Sequence, residues 1–337
     1  MQATVKRDQA SQKLYDVVVV GGGAAGLSGA LALVRVRRSV LMIDSGEPRN
    51  APAAHMHNFL TRDGTPPLEF LAIGRAEVES YGGQMVRGQV ETIERLDPDE
   101  QESSFRVSLA DGRVVVARQI LLAAGAFDEL PDVAGLAERW GRDVVHCPYC
   151  HGWEVRDQPI GILASGPMAL HSALMFRQLS DDIVFFQHTA PPLSPEQREQ
   201  LMARNIPIVE GKVLALDIQD DQIVGVRLEA GQYVKRRVLA VSSRLWARAP
   251  FIKSLGLELS THEVAGQVLS SYIAADTRGA TSLAGVWVAG NLNDPFGTVI
   301  SAAAAGMRTG AMINAALIEQ ETTQAVAAMR SQASALL

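Results

Sequence analysis

The only two cysteines of the chain stand three positions apart, in His146-Cys147-Pro148-Tyr149-Cys150-His151. A pair at that spacing can cycle between dithiol and disulfide, because a thiolate attacks a disulfide sulfur and the neighbouring thiol resolves the product. With no other cysteine available, Cys147 and Cys150 are read as working redox residues. A purely structural bridge between them would close too small a loop to stabilise much. Counting His146, Cys147, Cys150 and His151 as four zinc ligands is the weaker reading. Adjacent side chains such as His146 and Cys147 diverge, and structural zinc sites draw their ligands from two separated segments. No metal is therefore expected.

A second chemical signal lies far upstream. The β-branched run Val17-Val18-Val19-Val20 ends at Gly21-Gly22-Gly23-Ala24-Ala25-Gly26, continues into small and apolar residues 27–36, and returns through Val40 to Ile43 onto Asp44. This is strand, glycine turn, helix, strand and acid, the pattern of a dinucleotide-binding βαβ unit. Gly21 makes the turn, Gly23 lets backbone N–H groups approach a pyrophosphate, and Gly26 lets helix and strand pack. The helix start then faces the phosphates with its positive dipole end. Asp44 can accept a bond from a ribose hydroxyl. Ala24, Ala25 and Ser45 are counted with these residues as cofactor contacts.

These sites need two frames to hold them. Alternation over 84–122, with a turn at Asp111-Gly112, suggests a meander attached to the first unit, ending in the apolar Ile120-Leu121-Leu122 before Ala123-Ala124-Gly125. A second βαβ-like unit begins at Ile160, with a helix expected over 169–179 and a strand over 183–186. Short strands follow over 207–241. Val286 to Gly290 reads as a strand, and 299–317 as an Ala-rich helix. The expected fold is α/β, with two Rossmann-like domains, the second inserted in the first. The first is split between 14–131 and 247–320, the second spans 132–246, and 1–13 and 321–337 are read as tails, the Ala/Ser/Gln residues after Thr322 either extending the helix or fraying. At 337 residues with 47% apolar content each domain can bury a core. A net charge of −6 excludes the basic face of a nucleic-acid binder. No segment has the apolar length of a membrane span, and the polar first 13 residues do not read as a signal peptide. A lone redox pair fits a reducing cytoplasm.

Taken in order, the Gly-rich opening, Ala123-Ala124-Gly125 with Asp128, the Cys-x-x-Cys and Val288-Ala289-Gly290-Asn291 resemble the low-molecular-weight thioredoxin reductase family. The likeness runs from about residue 15 to 317. It implies FAD in the split domain, a smaller NAD(P)-like inserted domain carrying the disulfide, and a homodimer. It also implies that Ala124, Gly125, Gly290, Asn291 and Val299 line the flavin site, that Cys150 faces the flavin, and that Cys147 exchanges with substrate. The flanking motifs exclude a glutaredoxin, whose string Cys-Pro-Tyr-Cys resembles.

Two departures from that family matter. The second glycine turn is Ala164-Ser165-Gly166-Pro167-Met168-Ala169, and Gln187-His188-Thr189-Ala190-Pro191-Pro192 stands where the family carries adjacent arginines for the 2′-phosphate of NADPH. NADPH binding is therefore expected to be impaired or lost. His151 replaces the acidic residue that follows the second cysteine, and a group titrating near neutrality suits general-base work on an incoming thiol. Both changes, and Asn291 in place of Asp, resemble the FAD-dependent dithiol oxidases of the gliotoxin and holomycin type. The resemblance implies oxidation of a small thiol or dithiol by Cys147, Cys150 and His151, with dioxygen as acceptor. A disulfide reductase fed by NADPH or ferredoxin is the alternative, and a redox-sensing flavoprotein with little turnover is a third. His55 and His57 read as loop histidines, with substrate contact as the alternative, Trp153 as a shield of the pair or as core, and Arg244 and Arg248 as hinge or interface salt-bridge residues.

Overall fold

Four valines in succession form the centre of the first sheet because both faces of that sheet are covered. Along the strand Leu14–Val20, Val18 and Val20 point into one apolar cluster with Ile93, Phe105 and Phe251, while Val17 and Val19 point into another with Leu33 and Ile313. The computed structural model describes residues 13–96 and 104–334. Five parallel strands run in the order Gln84–Arg87, Val40–Asp44, Leu14–Val20, Val114–Leu122 and Val286–Val288. Val114–Leu122 also pairs through its first half with an antiparallel meander of Ser104–Leu109 and Val90–Leu96. The last parallel strand thus comes from more than 160 positions further along the chain than its neighbour.

Helices Ala24–Arg35 and Val299–Ser334 cross on one face of this sheet with almost no side chain between them. A Cβ on Gly306 would lie 1.9 Å from the carbonyl oxygen of Ala25, and one on Gly310 would lie 2.6 Å from that of Gly29. The long helix departs from expectation. It does not end at 317, and of the two readings of the tail, extension of the helix is the one found over 321–334. Its continuation is anchored by Glu321, which accepts from Arg38 at 2.5 Å and Arg118 at 2.6 Å. Beyond that point Ala, Gln and Met keep the helix going by intrinsic propensity, without an apolar stripe to announce it.

A second parallel sheet runs Ile208–Val209, Ile183–Phe186, Ile160–Leu163, Val238–Val241 and Val144–Val145. Helices Ala169–Phe176 and Pro195–Ala203 pack through Phe176 and Leu201 into one of its clusters; the antiparallel strands Val213–Gln219 and Gln222–Leu228 pack into the other. The first of these helices stops three residues short of the expected 179. Between the two large sheets the chain crosses twice, on Ala126–Glu129 and Arg244–Ala247, and these strands pair antiparallel. Helix Pro67–Ser80, which the sequence did not announce, exposes much of its length. No helix among the described residues is long and apolar enough to cross a membrane.

Candidate active site

The three motif glycines have three different surroundings. Gly21 takes φ +107°, a conformation side chains rarely adopt, and a Cβ there would sit 2.3 Å from the carbonyl oxygen of Ala123. Gly26 lies behind the turn, where a Cβ would meet the carbonyl oxygen of Gly21 at 1.9 Å. Gly23 has nothing within 4 Å of its Cβ position and heads helix Ala24–Arg35 with no side-chain cap. Its open side faces a cavity of about 1830 Å³, which is larger than the usual small-ligand pocket. Free helix N–H groups and the bare Gly23 make a cradle that fits a pyrophosphate. Gly22 N donates to Asp44 Oδ1 at 3.0 Å, so the acid fixes the turn with one oxygen and lines the cavity beside Ser45.

The same cavity is bounded by Ala24 and Ala25, by Ala124 and Gly125, and by Gly290, Asn291 and Val299. Gly26 is the one nominated cofactor residue that stays off the wall. Gly290 takes φ +73° and approaches Ala25 closely. Asn291 does more than line the site. Its Nδ2 donates to the carbonyls of Asp294, Pro295 and Gly297 at 2.9, 3.2 and 2.9 Å, shaping the loop that leads into helix Val299–Ser334.

Cys147, Cys150 and His151 close the cavity from the second sheet's side. Pro148–His151 is a single helical turn, and the N–H groups of Cys150 and His151 donate to the carbonyl of Cys147 at 3.2 and 3.1 Å. Both cysteines are half-buried free thiols. They are not equivalent. Donation from the Cys150 thiol, opposed by burial and helped by the N–H groups of Cys150 and Tyr149 and by Arg49, lowers Cys147 to about 6. Its bond to Cys147, with burial, pushes the Cys150 thiol up. The proton of the reduced pair therefore stays on Cys150. Burial keeps His146 neutral down to about 4 and also lowers His151. Both ring nitrogens of His151 are buried and have no partner.

Around this turn stand residues that the motifs did not flag, and one of them, Asn58, is bonded to it directly. Arg49 binds Asp128 through two bonds of 2.7 and 2.9 Å, and Ser243 donates to the same carboxylate at 2.6 Å. Burial would raise that carboxyl, but Arg49 and Ser243 hold it below the usual range. Asn58 Nδ2 donates to the carbonyl of Tyr149 at 2.5 Å, and His57 lies 3.3 Å from Glu154. His57 is thus a bridging residue, while His55 is an exposed loop residue on the cavity rim. Trp153 is exposed, with the Arg156 guanidinium 4.0 Å over its ring, so it does not fill core. Arg248 donates to the carbonyl of Glu47 at 2.7 Å and Arg244 lies 4.0 Å from Glu129, both beside the crossing strands. Arg49 and Asn58 carried no sequence signal, because their partners are 79 and 91 positions away.

The second turn is differently made. Ala164 is fully buried, and its carbonyl accepts from the N–H of Ala190 at 3.0 Å, so the 187–190 loop folds down onto the turn. Gln187 is buried, with Nε2 donating to the carbonyls of Ala190 and Pro191 at 3.0 and 2.8 Å. His188 Nδ1 accepts from the N–H of Val213 at 3.1 Å. Polar groups at the position of a phosphate-binding loop are thus turned onto the protein's own backbone.

The family model described as pyridine nucleotide-disulphide oxidoreductase matches residues 15–314. Thioredoxin reductase tcpT of Claviceps purpurea is 31% identical over 317 residues, 91% of this chain and 96% of that protein. The probable thioredoxin reductase of Arthroderma benhamiae is 34% identical over 219 residues, 61% of this chain. That alignment spans 54% of the Arthroderma protein, about half its length. The crystal structure of HlmI superposes with a TM-score of 0.87 at 43% identity, covering 95% of this chain and 97% of that one.

Proposed function

The chain belongs to the pyridine nucleotide-disulphide oxidoreductase family, and on that premise we propose that it is an FAD-dependent dithiol oxidase that forms disulfides through Cys147 and Cys150 with dioxygen as acceptor. Thioredoxin reductase-like members of the family are FAD-binding flavoproteins, and the cradle at Gly21 to Ala25 fits the pyrophosphate of that cofactor. One observation carries the direction of the reaction. The redox pair shares a cavity with both turns, but the first offers a bare glycine cradle, whereas the loop beside the second is bonded to itself and bears no arginine or lysine. The likeness to a protein named thioredoxin reductase over 91% of the chain supports sulfur chemistry at this site.

In this mechanism His151, neutral and without a partner, takes the proton of a substrate thiol, and the thiolate attacks Cys147 in the oxidised pair. The Cys147–Cys150 bond breaks and a mixed disulfide forms. The second substrate thiolate attacks the substrate sulfur and displaces Cys147, whose low pKa makes it a good leaving group. The substrate leaves as its disulfide and both electrons remain on the pair. FAD, held by Gly21 to Ala25, Asp44 and Gly290, would supply the two-electron acceptor and, with dioxygen, the outlet to hydrogen peroxide. Re-forming the Cys147–Cys150 bond requires loss of the Cys150 proton, again within the neighbourhood of His151. The same proposal takes 14–131 with 247–320 as the FAD domain and 132–246 as the insert. It also takes the working form as a homodimer and the setting as a reducing cytoplasm.

Anaerobic mixing of the flavin-loaded protein with dithiothreitol, and separately with NADPH, tests the direction. The expected outcome is bleaching of flavin absorbance by the dithiol alone, reversed on admitting air. Cys147→Ser and Cys150→Ser should keep the flavin and lose turnover. Rapid bleaching by NADPH would overturn the oxidase reading in favour of a reductase.

A further inference from the structure

The second glycine turn no longer offers what the first does. The Cβ position of Gly23 is bare, whereas that of Gly166, the matching glycine, has Gln267 Oε1 at 3.6 Å, an amide carried in by the strand Gln267–Tyr272. The face on which a pyrophosphate would lie is thus taken by protein, yet the helix that follows still walls the cavity. Helix Ala169–Phe176 buries Ala169, Ala173 and Phe176, while Met168, His171, Ser172 and Met175 line the open space. Spacings of three and four residues put these four on one face. The same face runs on to Leu179, just past the helix end, and there it meets the redox turn: a Cβ on Gly152 would lie 2.4 Å from Leu179 Cδ1. Val145 and Val155, on either side of the cysteines, share an apolar cluster with Ala173 and Phe176, so the helix is packed directly against the redox segment. Tyr149, between the cysteines, lines the same cavity and is 72% exposed.

Building on the dithiol-oxidase reading, we propose that this face of the helix is the substrate's seat, and that Met168 and Met175 select a small dithiol with an uncharged, apolar body. The thiol exchange at Cys147 is unchanged; the seat adds a hold on the rest of the molecule. Charge supports this occupant. Met168, His171, Ser172 and Met175 include no carboxylate, lysine or arginine, so a charged group resting on them would lose water without gaining an opposite charge. The two thioethers are flexible and polarisable and adapt to varied apolar shapes. Continuity with the redox pair favours a small molecule over a protein surface. The stripe is a wall of the cavity that Cys147 and Cys150 close, and both sulfurs are half-buried, so a ligand must enter that space to reach them.

Stopped-flow reduction of the bound FAD under argon tests this with three dithiols: dihydrolipoamide, dihydrolipoate, which carries a carboxylate instead, and dithiothreitol, which has no apolar tail. Wild-type protein should be half-saturated by dihydrolipoamide at a concentration about tenfold lower than by either of the others. Met168→Ala and Met175→Ala should raise that concentration about tenfold and keep most of the limiting rate, since the lost atoms hold the substrate and take no part in the exchange. Met168→Lys, at the exposed end of the stripe, should turn the preference toward dihydrolipoate, a reversal that a structural defect does not produce. It serves with Met168→Ala if Met175→Ala does not hold FAD. Equal half-saturation by the three dithiols in wild type, or a preference unmoved by Met168→Ala and Met168→Lys, overturns the seat, as does NADPH that competes with dihydrolipoamide. If none of the dithiols reduces the wild-type flavin, the oxidase reading is what fails, and the seat falls with it.

Discussion

At the scale of single residues the two cysteines differ because each is the other's environment. Cys147 is lowered first of all by the thiol of Cys150, so removing that donor should undo the shift. A thiolate alkylates and a thiol does not, so reactivity is present above the pKa and lost below it. In reduced wild-type protein the rate of iodoacetamide labelling at Cys147, followed by mass spectrometry, should have its midpoint near pH 6. In Cys150→Ala the midpoint should move up toward the ordinary thiol value of about 8.5. Equal midpoints in the two proteins would assign the activation to Arg49 and the backbone instead. The Cys-x-x-Cys and His151 were legible from spacing alone. Which sulfur holds the proton was not, because that depends on how the turn Pro148–His151 orients both thiols. Nor could Asn291 be recognised as the organiser of 294–297, a task that only the closed loop reveals.

At the scale of elements, the glycine turn separates folding from binding. Gly26 and Gly23 belong to one motif, yet one faces backbone and the other faces open cavity. Gly26→Ala forces the first helix away from the strand, an overpacking that costs about 1–3 kcal/mol or more. It should lower the melting temperature even of protein stripped of flavin. Gly23→Ala finds free space, so the stripped protein should lose less than about 1 kcal/mol at this N-cap position. Its FAD affinity should nevertheless fall at least about tenfold, because the added methyl stands where the backbone must approach the pyrophosphate. Thermal melts and flavin titration of both variants check this; tight FAD binding by Gly23→Ala would remove the turn from the cofactor site. Strands with both faces covered, such as Val17–Val20 and Ile160–Leu163, were readable because they are continuous apolar runs. Helix Pro67–Ser80 was not, since it buries only Pro67, Leu71 and Val78 and so lacks a sustained stripe. The reach of the last helix to Ser334 was hidden for a related reason. Past Leu317 it buries no residue, and its anchor is the ion pair of Glu321 with Arg38 and Arg118, nearly three hundred positions from the former and two hundred from the latter.

At the scale of the whole molecule, two strands join the large sheets among the described residues, so something else must set how the redox turn sits over the glycine turn. Sequence order announced the insertion, because the second βαβ pattern falls between two pieces of the first. The contacts that fix its orientation are long-range, and no motif marks them. Arg49 leaves the first sheet's loop to grip Asp128 on one crossing strand, Ser243 reaches the same carboxylate from beside the other, and Pro52 packs against Gly141 of the second unit. Arg49→Met should be costly for stability, by about 3 kcal/mol, because it leaves a buried carboxylate without its cation. Replacing both partners, as Arg49→Met with Asp128→Leu, removes the unpaired charge and should recover most of that loss in urea melts. Flavin reduction by dithiothreitol should not recover with it. The double variant is stable but lacks the tie between loop and crossing strand and the cation that helps lower Cys147, so reduction stays slow by about tenfold or more. A double variant that regains both stability and the wild-type rate would mean that the paired strands Ala126–Glu129 and Arg244–Ala247 hold the orientation by themselves, with the Arg49–Asp128 bond acting only on stability.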